Sequence, residues 1–249
     1  MLENKVILVT GGGRGIGLGI TNTLLKYNAK VIVAQRNNVP AELEGKVDFV
    51  KADFSDTNSP ATVAEYISAN YDHIDGIVNN AGIMWEKHLE DMTQQDYDQM
   101  MQINTSTPIF LTKALLPLLK KSKAGSVVNI GSIEGIQSNP EHIAYGTSKG
   151  AVHSATINMA DDLGKFNIRV NSIAPGWITS DLAENYINSQ QDPEAALQAL
   201  IKLHPVGRVG QPEDIGGVVA FLMNEDLSAF VTAQIIVVDG GRTSKIPLF

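Results

Sequence analysis

Tyr145 and Lys149 stand four residues apart in the stretch Tyr145-Gly146-Thr147-Ser148-Lys149, a spacing that puts both on one face of a helix. Val152, Ala155, Met159, Leu163 and Phe166 continue that face, so phenol and ammonium share a stripe expected to be buried. An ammonium beside a phenol stabilises the phenolate and lowers its pKa, which suits proton transfer near neutral pH. Taken alone, the pair equally fits a tyrosine packing by its ring and a lysine reaching solvent. Ser132 follows the run Val127-Val128-Asn129-Ile130 through Gly131. From there its hydroxyl can bond a substrate oxygen as charge develops, or simply serve a turn. Thr10-Gly11-Gly12-Gly13-Arg14-Gly15-Ile16-Gly17 follows another apolar run and opens a helical pattern. Glycines at such a junction let the backbone approach a pyrophosphate, and the helix N-terminus offers it free N–H groups and a positive dipole end. Asn79-Asn80-Ala81-Gly82 also follows a strand-like run, with small residues where a ligand could approach the main chain.

The elements that must position these residues are legible as an alternation. Val6-Ile7-Leu8-Val9, Val31-Ile32-Val33, Val47-Asp48-Phe49-Val50, Ile77-Val78, Val127-Val128-Asn129-Ile130, Ile168-Arg169-Val170 and Ile235-Ile236-Val237-Val238 read as seven strands. Helical patterns separate them at 16–27, 60–70, from Thr93 past Pro108, and 144–166. The expectation is an α/β chain, residues 1–249 forming a single doubly wound Rossmann-like domain with a seven-stranded, mostly parallel sheet and helices on both faces. Residues 182–203 form a polar excursion near the ligand edge and read as a substrate lid. Residues 242–249 form a tail ending in Ile246-Pro247-Leu248-Phe249, an apolar terminus suited to docking on another subunit.

Composition excludes several classes. With 27 acidic against 19 basic residues and net charge −8, the chain is a poor partner for nucleic acid or an anionic membrane. The run Val218-Val219-Ala220-Phe221-Leu222-Met223 is far too short to span a bilayer. Met1-Leu2-Glu3-Asn4-Lys5 leads directly into a strand, so no signal peptide and a cytoplasmic location are expected. No cysteine is present and the five histidines are scattered, so no metal site is expected.

Together the pieces resemble the short-chain dehydrogenase/reductase family, from Lys5 to about Gly241. The resemblance rests on Thr10-Gly11-x-x-x-Gly15-x-Gly17, Asn79-Asn80-Ala81-Gly82, Asn104, Ser132, Tyr145-x-x-x-Lys149 and Pro175-Gly176, in that order. It implies an NAD(P)-dependent oxidoreductase interconverting a carbonyl and a secondary alcohol by hydride transfer. Tyr145 would be the general acid/base and Ser132 would polarise the carbonyl. Lys149 would lower the Tyr145 pKa and bind the nicotinamide ribose, and Asn104 would hold a water of the proton relay. Gly11, Arg14, Gly15, Ile16, Gly17, Asn80, Ala81, Gly82, Pro175, Gly176 and the Ile178 backbone would contact the cofactor, and Asp53 would meet its adenine. Ser180 stands where the family has a threonine near the carboxamide, with Thr179 one residue earlier, so either hydroxyl is a candidate. It also implies a homotetramer.

At the end of the second strand, Ala34-Gln35-Arg36 has no carboxylate to repel a 2′-phosphate, and Arg36 and Arg14 can pair with one. NADP is therefore the expected cofactor, with NAD the alternative because NAD-using relatives also carry arginines there. Candidate substrate contacts are Met84, Trp85, Glu134, Gln137, His142 and Trp177. If Glu134 and Gln137 face the pocket, a hydroxylated or amino-bearing substrate is favoured, because buried polar groups need partners. The rival activities are 3-oxoacyl-carrier-protein reductase and NAD-linked sugar or polyol dehydrogenase. More remote is a non-catalytic nucleotide sensor, which would need neither the phenol nor the serine.

Overall fold

In the computed structural model, which describes residues 1–244, the apolar runs become β1 (Val6–Thr10), β2 (Lys30–Gln35), β3 (Asp48–Lys51), β4 (Gly76–Asn79), β5 (Gly125–Ile130), β6 (Ile168–Pro175) and β7 (Ile235–Val238). They form one sheet in the order β3-β2-β1-β4-β5-β6-β7. Expected to be mostly parallel, the sheet is parallel at every pairing. Helices α1 (Gly15–Lys26), α2 (Ser59–Asn70), α3 (Gln94–Met101), α4 (Thr107–Leu119), α5 (Ile143–Gly164), α6 (Asp181–Asn188), α7 (Pro193–Lys202), α8 (Pro212–Met223) and α9 (Glu225–Ser228) connect or flank the strands.

Period-two alternation assigns the strand side chains to two cores. Leu8, Ile32, Ile77 and Val127 pack with Val63 and Ile67 of α2, Leu111 and Leu115 of α4 and Leu163 of α5. Ile7, Val9, Val33, Val78 and Val128 pack with Ile20 and Leu24 of α1 and Ile215, Val219 and Leu222 of α8. Each fully buried side chain of this kind contributes roughly 1.5–3 kcal/mol, and double coverage is what permits near-continuous apolar strands.

Three elements depart from the sequence reading. The run ending at Met223, read only as too short for a membrane, is half of α8, whose start is marked by Pro212 and a capping box between Gln211 and Asp214. Residues 182–203 are not irregular, for they contain α6 and α7, the latter capped by Asp192 accepting from the Ala195 N–H at 3.0 Å. The single helix expected from Thr93 past Pro108 is instead α3, a wide π turn over Gln102–Ser106, and α4. Pro108 has no N–H to offer the carbonyl of Asn104 four residues earlier, so a regular α-helical turn cannot be completed there. Among the described residues no helix is long and apolar enough to cross a membrane. The tail beyond residue 244 lies outside the described residues.

Candidate functional site

Because all strands run one way, their carboxyl ends share one edge, and each of the first six is followed within a few residues by a residue singled out above. Gly11 follows β1, Arg36 follows β2, Asp53 follows β3, Asn80 follows β4, Ser132 follows β5 and Gly176 follows β6. The chain reverses direction across the sheet between β1 and β4, and at such a switch point the loops diverge and leave a crevice.

The β1–α1 turn forms one side of that crevice. Gly11 and Gly15 have φ of +64° and +49°, a region costly for other residues. A Cβ on Gly17 would stand 2.0 Å from the Gly11 carbonyl oxygen, so only glycine lets α1 begin this close to the turn. No side chain caps α1 at Arg14, so the N–H groups of its first turn, Ile16 included, are free for an anion. The turn and the β4 loop are tied together. Asn80 donates from Nδ2 to the carbonyls of Thr10 (2.9 Å) and Gly11 (3.1 Å), and the Thr10 hydroxyl accepts from the N–H groups of Asn80 and Ala81. The Asn80 side chain thus holds the cradle's shape. These features fit a dinucleotide pyrophosphate.

At the β2 end, Gln35 accepts from the Gly13 N–H at 2.7 Å and donates to the carbonyls of Asn37 and Asn38. Arg14 and Arg36 are exposed beside it. Asp53 accepts from the backbone and hydroxyl of Ser55, bonds that lower its pKa with a smaller push from the Arg36 charge. Past β6, the Thr179 hydroxyl donates to the Gly210 carbonyl and accepts from Gln211. Ser180 caps α6 through the Ala183 N–H, and its Cβ is the atom nearest to a Cβ built on Gly15, at 3.5 Å. Ser180 therefore faces the cradle, while Thr179 is turned to the Gly210 loop. Ile178 is buried in a bridge to Gly210.

Across the crevice, α5 brings Tyr145 and Lys149 to the end of β5. Lys149, 5% exposed, donates to the Ile130 carbonyl at 2.9 Å, with its Nζ 5.6 Å from the Tyr145 ring centroid. Ser132 lies close enough to the Tyr145 phenol to lower its pKa and also accepts from the Glu134 N–H at 3.1 Å, so its turn and site roles coexist. Burial pushes the phenol up to about 12, against the lowering effect of Ser132 and with a further rise from the Glu134 charge. The expected depression by Lys149 is not what this environment gives: the phenol's own burial is the largest effect on it, and burial also takes the lysine down to about 8. The buried face of α5 differs from the expected stripe too. Val152 and Leu163 are buried, but Ala155, Met159 and Phe166 are half-exposed, and Ser148, His153 and Thr156 are buried instead.

Asn104 is 1% exposed, and its amide is fully engaged. It accepts from the Ile83 N–H and donates to the Ile83 carbonyl, both at 2.9 Å, and to Ser148 at 3.1 Å. Ser148, unremarked in the sequence, links that clamp to the Tyr145 carbonyl at 2.7 Å. A Cβ on Gly82 would stand 3.3 Å from Asn104 Oδ1 and 3.6 Å from Lys149 Nζ, so Asn104, Gly82 and Lys149 meet at one point.

The candidate substrate residues separate. Glu134 lies beside the phenol and His142 contacts it edge to ring, centroids 6.1 Å apart. Trp177 packs on Tyr186 of α6 at 5.4 Å. Trp85 is half-buried under the Lys87 ammonium. Gln137 is exposed and reaches the Thr243 carbonyl, so it does not share the expected pocket wall with Glu134.

The family model described as enoyl-(acyl carrier protein) reductase matches residues 11–243. The chain is 35% identical to a 3-oxoacyl-(acyl-carrier-protein) reductase of Thermotoga maritima over 96% of its length and 98% of the relative's. It is 34% identical to a cyclopentanol dehydrogenase of Comamonas over 98% and 99%. Among solved structures, the ligand-free aldohexose dehydrogenase of Thermoplasma acidophilum superposes with a TM-score of 0.93 at 28% identity, covering 99% of this chain and 97% of that one.

Proposed function

The chain belongs to the short-chain dehydrogenase/reductase family and interconverts a carbonyl and a secondary alcohol with NAD(P), and from that premise we propose that Tyr145 is its acid/base and NADP its preferred coenzyme. The observation that carries the first part is the meeting of Ser132 and the Tyr145 phenol beyond the end of β5, with Lys149 buried one helical turn away. When bound, the nicotinamide supplies or accepts the hydride at C4. In reduction, Tyr145, held protonated by its surroundings, gives its proton to the substrate oxygen while Ser132 donates a hydrogen bond to that oxygen as it gains charge. In oxidation, the phenolate must take the alcohol proton, and the Ser132 hydroxyl and the Lys149 charge favour the phenolate. Because the Asn104 side chain is spent on Ile83, its part in the relay is through its main-chain carbonyl, the one Pro108 leaves without an α-helical donor.

Gly11, Arg14, Gly15, Ile16 and Gly17 would hold the pyrophosphate. Ala81, Gly82, Pro175, Gly176, Ile178 and Ser180 would line the nicotinamide side, with Ser180 rather than Thr179 as the hydroxyl contact. Asp53 would meet the adenine. Support for NADP is the pair of exposed arginines, Arg14 in the β1–α1 turn and Arg36 at the end of β2, where no carboxylate follows Ala34. Residues 182–203 would act as a substrate lid, resting on Trp177 through Tyr186. Exposed Phe110 on α4 and Ile157 on α5 support self-association, proposed as a homotetramer and checked by light scattering.

Nicotinamide absorbance with NADPH and NADH against plain ketones, 3-oxoacyl thioesters and keto-sugars tests the assignment. NADPH-dependent turnover that Tyr145→Phe abolishes is the expected result. Equal rates with both coenzymes would remove the NADP preference, and activity surviving in Tyr145→Phe would remove the acid/base assignment.

A further inference from the structure

Two loops meet beside Tyr145, and a buried imidazole joins them. His142, 6% exposed, places Nδ1 2.5 Å from Glu134 Oε2 and Nε2 3.3 Å from Glu86 Oε1. Asn139 Nδ2 reaches the other Glu134 oxygen at 3.4 Å. The loops are fastened at a second point. Glu141 adopts a φ of +65°, its carbonyl accepts from the Lys87 N–H at 2.8 Å, and its carboxylate pairs with His88 at 2.8 Å. A non-glycine residue in that conformation costs energy, so the position of the loop carrying His142 is held against strain.

A loop staple alone would need one carboxylate. Here two converge on the two nitrogens of a single ring: Glu134 Oε2 and Glu86 Oε1 meet the ring and Glu134 Oε1 meets Asn139, and each of these oxygens keeps a second lone pair for another donor. The spare lone pairs of Glu134 stand where a substrate must sit, since the His142 ring that holds this carboxylate packs edge-on to the Tyr145 ring, Glu134 is two residues from Ser132, and its charge is felt at the phenol. Acceptors in such a place call for O–H or N–H groups on the substrate and repel an anion. The Lys149 ammonium is committed to the Ile130 carbonyl, so it does not answer these acceptors. The group does not converge as metal ligands do.

Resting on the assignment of Tyr145 as acid/base, we propose that Glu134, fixed by His142 and backed by Glu86, accepts hydrogen bonds from hydroxyls on carbons next to the reacting one. The substrates are then neutral polyhydroxylated alcohols and their carbonyl forms, of the sugar and polyol class, and not carrier-bound acyl thioesters.

The test compares kcat/KM of the full-length enzyme, with saturating coenzyme, on matched pairs differing only in the neighbouring hydroxyl. Such pairs are an aldose or vicinal diol and its deoxy analogue, with a 3-oxoacyl thioester measured alongside. The wild type should favour the hydroxylated member by about tenfold to a hundredfold, mainly through KM. Glu134→Gln keeps an oxygen for His142 and should cut that ratio about fivefold or more, while Glu134→Leu should bring it close to one. Thermal melts of each variant separate loss of preference from loss of fold, and Glu134→Gln serves if Glu134→Leu does not fold. A wild-type ratio near one, a ratio unmoved by Glu134→Gln, or turnover of the plain ketone or thioester with none of the hydroxylated members would overturn the proposal. Tyr145→Phe run on the same pairs tests the acid/base assignment separately. Activity surviving there sinks that assignment and leaves the preference ratios readable.

Discussion

The Lys149 ammonium donates to the Ile130 carbonyl oxygen at 2.9 Å, tying a buried charge on α5 to the last residue of β5. Burial holds this lysine near 8, below its usual 10.5. Between those values the unfolded chain binds a proton that the folded chain does not, so this group's contribution to stability rises with pH from about 8 to 10.5. Below pH 8 its cost is at full size, about 3 kcal/mol. Lys149→Met should therefore be inactive yet melt several degrees higher at pH 7, with the gain shrinking toward pH 10.5. Melting curves at pH 7, 9 and 10.5 check it, and an equal gain at all three would contradict the account.

Tyr145→Phe removes the transferred proton and keeps the ring in place. Turnover should fall by about 10²–10⁴-fold while the melting temperature stays within a few degrees and coenzyme affinity within a few fold. Fluorescence titration with NADPH beside the rate assay reads both, and comparable losses of binding and rate would point to misfolding.

Gly17 and Gly13 give opposite forecasts for the same substitution. A Cβ at Gly17 meets the Gly11 carbonyl, which is backbone, whereas one at Gly13 meets the end of the Gln35 side chain at 2.5 Å. Gly17→Ala should lose coenzyme binding by more than tenfold, and Gly13→Ala should keep it within a few fold as Gln35 swings aside. Calorimetric titration of the two variants decides, and equal losses would refute the cradle geometry.

Arg36→Ala should weaken NADPH by about 10- to 100-fold, the worth of a charged hydrogen bond, and leave NADH nearly unchanged. Gln35→Glu keeps the acceptor for the Gly13 N–H and adds a charge that repels a 2′-phosphate, so it should turn the preference toward NADH. The ratio of kcat/KM for the two coenzymes is the readout.

His153 is buried between Gly131 and Gly135, on either side of Ser132, and its Nε2 has no hydrogen-bond partner. Burial, helped by the Lys149 charge, brings it down to about 4. The unfolded state then binds the extra proton between pH 6.5 and 4, so stability should fall as pH drops through that window and level off below it. Urea unfolding from pH 7 to 4 should show this slope in the wild type and a flatter one in His153→Leu.

What the sequence could carry was whatever depends on local spacing. Seven strands followed from β-branched runs, because a doubly covered parallel sheet demands them. The Tyr145–Lys149 pairing followed from the helical period and the phosphate cradle from glycines at a β-to-α junction. Gln211-Pro212 and Asp214 marked the start of α8 just as locally.

Relations between distant segments came only with the tertiary structure. Glu86 joins Glu134 because two loops, 48 residues apart in the chain, are fastened by His142 and the strained Glu141. The sign of the Tyr145 shift was also beyond spacing. Neighbouring in sequence names the charge beside a phenol, but desolvation depends on everything packed around it, and here desolvation is the largest effect on the phenol. Which atoms share a buried site is decided by the sheet order and the packing of its loops, and neither is written in any one segment.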